Sequence, residues 1–211
     1  MKRRPFWWLL IFFAFVISAY ALALLAVPAA RPPFLRERFA VFPLATYVHL
    51  LGGAVALAAG PFQFLAKLRA KRPGLHRVLG RVYVVSILSS GTGGFILAFV
   101  SQEGMAAHLG FASLAVAWIV TGALAYRRIR VRDVAGHRDW MLRSYALTLA
   151  GVTLRIYLPL SLLAGVPFAY AYPAISWLCW VPNLLVVERL VSRRRRGGIP
   201  DGASVILGEP G

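Results

Sequence analysis

Six long apolar stretches, parted by short polar or basic breaks, run the length of the chain. They are Phe6 to Val27, Leu44 to Ala66, Leu75 to Val100, Met105 to Tyr126, Ala135 to Leu163 and Ala171 to Val191. Each has the roughly twenty residues that a helix needs to cross a hydrocarbon layer ~30 Å thick. The pattern predicts an all-α, polytopic integral membrane protein with six transmembrane helices, helices two to five forming a central four-helix bundle. Three regions follow. Residues 1–30 are a first helix with a cytoplasmic N-terminus. Residues 44–191 are a five-helix core. Residues 192–211 are a basic tail, expected to lie disordered on the membrane surface. The first run, about 22 residues, exceeds the ~7–15-residue apolar region of a signal peptide, so it reads as a retained helix. The prolines Pro32, Pro33 and Pro43 mark Arg31 to Pro43 as a loop, and Pro159 predicts a kink late in the fifth helix.

The chain holds 24 Lys and Arg against 7 Asp and Glu, a net charge of +17. A nucleic-acid-binding protein would gather these charges on one soluble face. Here they cluster in alternate breaks, which is the positive-inside pattern of a membrane protein. With the amino terminus inside, 20 basic residues fall on the inner side, and only Arg31, Arg36, Arg38 and Arg155 fall outside. Both termini are therefore expected in the cytoplasm, with the helices in an inner (plasma) membrane. Membrane lipid is the expected partner, and nucleic acid is not. The single cysteine, Cys179, rules out an intramolecular disulfide and a cysteine-built metal cage. The few acids form no intramembrane pair, and no phosphate-binding glycine loop is present, so hydrolytic and transferase chemistry find no support.

The polar residues inside the apolar runs carry the candidate chemistry. The stretch Gly136 to Tyr145 reads as the polar mouth of the fifth helix. His137 and Arg155 are eighteen residues, five whole turns, apart, so they share a face and stand roughly 27 Å from one another along the axis. Helices two, three, four and five hold one histidine each: His49, His76, His108 and His137. His49 and His108 lie near the outer ends, His76 and His137 at the inner ends. They form two same-level pairs, each from alternate helices, which sit diagonally across a four-helix bundle. Two histidines facing across a bundle core can supply both axial ligands of a haem iron. Gly52, Gly53, Ala56 and Gly60 on the His49 side, and Gly80, Tyr83 and Gly94 on the His76 side, would open space beside such ligands. Arg77, Arg81, Arg138 and Arg143 stand at the inner level, where haem propionates would need cations. Arg155 is the cation expected near the outer pair. Against this, a lone histidine at a helix end is more often an interfacial polar residue, and glycine stripes usually mean close helix packing.

Two resemblances bear on the reading. The strings His76-Arg77-Val78-Leu79-Gly80-Arg81-Val82-Tyr83 and His137 to Tyr145, with Thr153-Leu154-Arg155 and the late Trp180, Asn183 and Glu188, resemble a family of predicted bacterial membrane proteins, domain of unknown function 2306, over about Leu44 to Glu188. The arrangement of six helices with paired histidines on the central four is similar to the cytochrome b-561 family. That likeness implies two b-type haems, the outer ligated by His49 and His108, the inner by His76 and His137, and electron transfer across the membrane. No clear ascorbate-site motif is present.

Two readings follow. The first is a haem b-dependent transmembrane electron carrier, an oxidoreductase in the sense of electron transfer, supplied by a quinol or small reductant; Arg155, Arg81 and Arg143 would meet its haem carboxylates. In that reading the outer pair is expected to be the better buried site. The second is a cofactor-free membrane protein that binds or moves a small molecule through a polar cavity lined by Arg155, Asn183 and the histidines.

Overall fold

A computed structural model describes residues 4–100 and 104–196. Every regular element among them is helical. The first span is α1 (Arg4–Ala26). A short amphipathic helix, α2 (Pro33–Val41), leads to α3 (Pro43–Ala59), which a 3₁₀ turn at Pro61–Phe64 extends into the second span. The stub α4 (Ala66–Lys71) precedes the third span, α5 (Pro73–Ala98), and the fourth, α6 (Met105–Arg130). The fifth span is two helices, α7 (Val134–Thr148) and α8 (Ala150–Leu163); the sixth is also two, α9 (Phe168–Leu178) and α10 (Val181–Arg195). All six spans are long and apolar enough to cross a membrane.

Local chemistry explains the boundaries. Proline opens α2, α3 and α5, where its missing N–H costs nothing and its φ suits the first turn. Asp133 caps α7 by accepting from the backbone N–H of Gly136 at 2.8 Å. Three arginines between the first two spans serve helix ends. Arg31 donates to the carbonyls of Leu24 and Leu25, which end α1, at 2.8 and 3.1 Å, and lies 3.7 Å over the Phe39 ring. Arg36 donates to the carbonyls of Arg31 and Ala29. Arg38 reaches the carbonyl of Leu97, at the end of α5, at 3.0 Å. Helix C-terminal carbonyls lack intrahelical partners and carry partial negative charge, so guanidinium groups suit them. The segment read as a proline-rich loop is therefore mostly a helix stapled to its neighbours.

Spans two, three, four and five form a ring in chain order, each packed on the next, with span five returning to span two. Spans three and five face one another across this ring. The first span fills the groove between spans two and five, where the Ser18 hydroxyl donates to Ala54 O at 3.0 Å and Trp7 meets Phe64 edge-on. The sixth span lies against spans four and five. Leu9, Phe12, Leu44, Leu51, Val85, Val116, Leu163 and Leu185 are exposed, as lipid requires, while Thr46, Gln63, Ser86, Ser90, Ser144, Thr148 and Ser176 are buried.

The fifth span departs from expectation. It breaks at Leu149, and α8 continues through Pro159. The Asn183 amide of α10 donates to the Ala146 carbonyl just before the break and to Thr153 Oγ1 just after it, at 3.3 and 3.0 Å. Thr153 also donates to Leu149 O. Side chains inserted into a helix ladder are a usual cause of such breaks. The sixth span continues in helix to Arg195, past the residue where the tail was expected to begin. The remainder of that tail, 197–211, and Glu103 lie outside the described residues.

Candidate functional site

The bundle has a basic end, where α4, the α6–α7 connection and the last turn of α10 meet, and an opposite end. The histidines divide between them as the spacing predicts: His76 and His137 at the basic end, His49 and His108 at the other.

At the basic end, His137 sits in the first turn of α7, and its Nδ1 lies 2.8 Å from the Ala125 carbonyl of α6. A carbonyl only accepts, so Nδ1 carries the proton and the Nε2 lone pair is left free. His76, in the first turn of α5 across the ring, is half-buried, and its Nδ1 is buried without a hydrogen-bond partner. Arg69 donates to Gln63 O at 3.3 Å, and the Gln63 amide rests against Gly80, one turn beyond His76. Arg69 thus stands at the same end of the ring as His76. Arg81 is exposed. Arg143 faces the sixth span instead: it grips Glu188 with both ends of its fork, Nε to Oε1 at 2.5 Å and Nη2 to Oε2 at 2.8 Å, over the Trp140 ring. Asp139 receives Arg194 and Arg195, each at 3.1 Å. The Asp139–Arg194 and Asp139–Arg195 pairs line a cleft of about 520 Å³ beside Gly136 and Trp140.

At the opposite end, His49 Nδ1 lies 2.9 Å from the Ser90 carbonyl of α5, and Ser90 Oγ donates to His49 O at 2.7 Å. The same tautomer follows, with Nε2 free. The His49 ring lies so close to Gly94 that a Cβ there would stand 2.8 Å from Nδ1. The His108 ring is beside Phe99, with 6.3 Å between centroids. Arg155 lies in α8, the second half of the fifth span. Its guanidinium donates to Gly151 O and lies 5.9 Å from the Tyr20 ring centroid of the first span. His137 and Arg155 therefore face different neighbours, spans four and one. Met141, Thr148 and Val152, between them, are all buried.

The glycines read as opening space are occupied by neighbouring helices. A Cβ on Gly52 would meet Ser86 O and Ser90 Cβ at 2.8 Å, one on Gly60 would overlap the Tyr145 ring, and one on Gly80 would stand 3.1 Å from Gln63 Oε1. Tyr83, placed on the His76 side, is fully buried and reaches across the ring to Ser144 and Thr148 at 3.0 and 2.8 Å, and Trp118 Nε1 donates to Thr148 at 2.9 Å. Asn183, expected to line a cavity, is engaged in the span five–six cross-link described above.

Residues 46–191 match the family described as predicted membrane protein (DUF2306). The chain belongs to that family. No curated protein and no solved structure matches it. Among the described residues of this DUF2306 chain, no three His, Cys, Asp or Glu side chains gather as a metal-binding group. Axial haem ligation asks for two side chains, not three, so the histidine pairs bear on it separately.

Gln63 and Arg69 were not singled out as site residues by sequence reasoning. Gln63 did carry a signal: it is a lone amide within Pro61-Phe62-Gln63-Phe64-Leu65, at the end of an apolar span.

Proposed function

We propose that this protein holds b-type haem between histidines on the diagonals of the ring and carries electrons across a bacterial inner membrane. The observation that carries the reading is the pair at the basic end. His76 and His137 stand on opposite spans at one level, one with its tautomer fixed so that Nε2 is free, the other with a buried, unpartnered nitrogen. A carbonyl bond on the far nitrogen is how metal-binding imidazoles are usually oriented and made more basic. The residues present fit the group: His76 and His137 would supply two imidazole ligands, and Arg69 would meet its carboxylates. Bound there, haem supplies one-electron redox chemistry, and the protein sets ligands, burial and nearby charge.

His49 shows the same Nδ1–carbonyl lock and supports a second site with His108 at the opposite end. Support is stronger at the basic end, because the His49 ring is already lodged in the seam between spans two and three. Arg155 is the cation that would meet an anionic group at that second level. The donor is a quinol or another small reductant, and both termini are cytoplasmic.

Expression with ample haem should yield a reduced-minus-oxidised b-type spectrum. His137→Ala and His76→Ala should each remove the basic-end signal, while His49→Ala should spare it. A stable, correctly inserted protein that stays colourless under haem supply overturns the reading.

A further inference from the structure

Besides His76 Nδ1 and one nitrogen of the Glu188-bound Arg143 fork, two buried polar groups near the basic end have no partner, and these two have no place in the function just proposed. Gln63 is 7% exposed and Tyr145 is 4% exposed, yet Gln63 Nε2 and the Tyr145 hydroxyl make no hydrogen bond to the protein. An unsatisfied buried donor costs about 1–3 kcal/mol, so two in one place call for a ligand.

They do share one place. Gln63 N bonds Gly60 O, one 3₁₀ turn back, and the Tyr145 ring lies against Gly60 through Cδ2 and Cε2. Phe64 touches the same ring, with centroids 5.5 Å apart. The Gln63 amide rests against Gly80 of α5, one turn beyond His76. Both donors thus occupy the junction of spans two, three and five. Each side chain lies against a glycine whose bare Cα admits it, Gln63 Oε1 beside Gly80 and the Tyr145 ring beside Gly60, which restricts its movement. Such support costs little entropy when a ligand arrives.

The chemistry of the walls narrows the ligand. The two free groups offer N–H and O–H. The guanidinium of Arg69 donates to Gln63 O at 3.3 Å, so the surroundings are electropositive. An oxygen acceptor is therefore wanted. The remaining walls are apolar and aromatic: Phe64, the Tyr145 ring, and Trp7 packed edge-on to Phe64 at 6.0 Å. The junction lies within membrane-spanning segments, so the ligand must be lipid-soluble.

We propose that Gln63 and Tyr145 clamp a carbonyl oxygen of a lipid-soluble quinone, with the ring of the quinone against Phe64. This rests on the electron-carrier reading, for which it supplies the membrane-borne redox partner beside His76. The same oxygen chemistry could come from a haem carboxylate, and the test separates the two.

The full-length protein in lipid nanodiscs is titrated with a short-tailed benzoquinone, read by quenching of tryptophan fluorescence, with haem content measured on the same samples. Gln63→Leu and Tyr145→Phe should each weaken quinone binding at least tenfold. Thermal stability should hold or rise, because neither Gln63 Nε2 nor the Tyr145 hydroxyl has a protein partner. Haem content should not change. Unaltered quinone affinity in both variants overturns the proposal, as does the absence of quinone binding to the wild type. Loss of haem with quinone affinity intact assigns the donors to a haem carboxylate and also overturns it. If Gln63→Leu does not insert, Tyr145→Phe, which removes a single oxygen, decides alone. A protein without haem that still binds quinone through these residues sinks the electron-carrier reading and keeps the site.

Discussion

Thr148 Oγ1 stands at the centre of the ring and joins three spans. It receives Trp118 Nε1 from the fourth, meets the Tyr83 hydroxyl from the third, and donates its own proton to Ser144 O in the fifth. Ser144 Oγ touches only Tyr83 in this cluster. The two residues should therefore differ in importance. Thr148→Val keeps the shape but strands the Trp118 N–H and weakens the hold on Tyr83, two buried donors in low dielectric; a loss of about 1–3 kcal/mol is expected. Ser144→Ala leaves Tyr83 bonded to Thr148 and should cost nearer the ~0.6 kcal/mol average for interhelical hydrogen bonds in membranes. Thermal unfolding in detergent measures both. Equal losses would mean that Tyr83, not Thr148, holds the cluster together. Tyr83 was legible as a residue on the His76 side of its helix. Its partners were not, because a hydroxyl's reach depends on how far each helix turns about its axis.

Among the elements, glycine separates two cases that sequence treats alike. Gly52 lies where spans two and three touch, and its missing Cβ is filled by the Ser86 carbonyl, which is backbone and cannot yield. Gly74, in the first turn of α5, has nothing within 4 Å of where its Cβ would be. Gly52→Ala should destabilise by about 1–3 kcal/mol through overpacking. Gly74→Ala should be neutral, or stabilise by up to about 0.5–1 kcal/mol through lower unfolded-state entropy and better helix propensity. Chemical-denaturant unfolding in mixed micelles reads the difference; similar effects at both sites would disprove the close span two–three seam. The same scale shows what could be foreseen. Hydropathy averaged over twenty residues locates all six spans, because every one must match the bilayer. It cannot locate the break at Leu149, whose causes, the Asn183 amide and Thr153, come together only after spans five and six have docked. Pro159 is the stronger local breaker, yet α8 runs through it. The histidine levels were legible by helix rise; the Gln63–Tyr145 junction was not, since it depends on two glycines of other spans standing opposite.

For the molecule as a whole, orientation in the membrane is the property that sequence and packing address together. By the alternation of the spans, 20 of the 24 basic residues are assigned to one end of the bundle. The cytoplasmic side retains such residues, so that end is expected inside. Three of the four exceptions, Arg31, Arg36 and Arg38, bond helix-end carbonyls, which offset their charge locally. The fourth, Arg155, lies within a span. The asymmetry felt by the inserting chain is thus sharper than the bare count. A reporter active only in the cytoplasm should work when fused after Arg196 and fail when inserted at Gly104, and a periplasmic reporter should do the reverse. Arg36→Gln should leave this outcome unchanged, because one capping charge cannot tip twenty against four. Reporter activity on the same side at both positions would mean that one of the six spans does not cross. The ring would then lose the alternation that sets His76 level with His137, and the haem reading would fall with it.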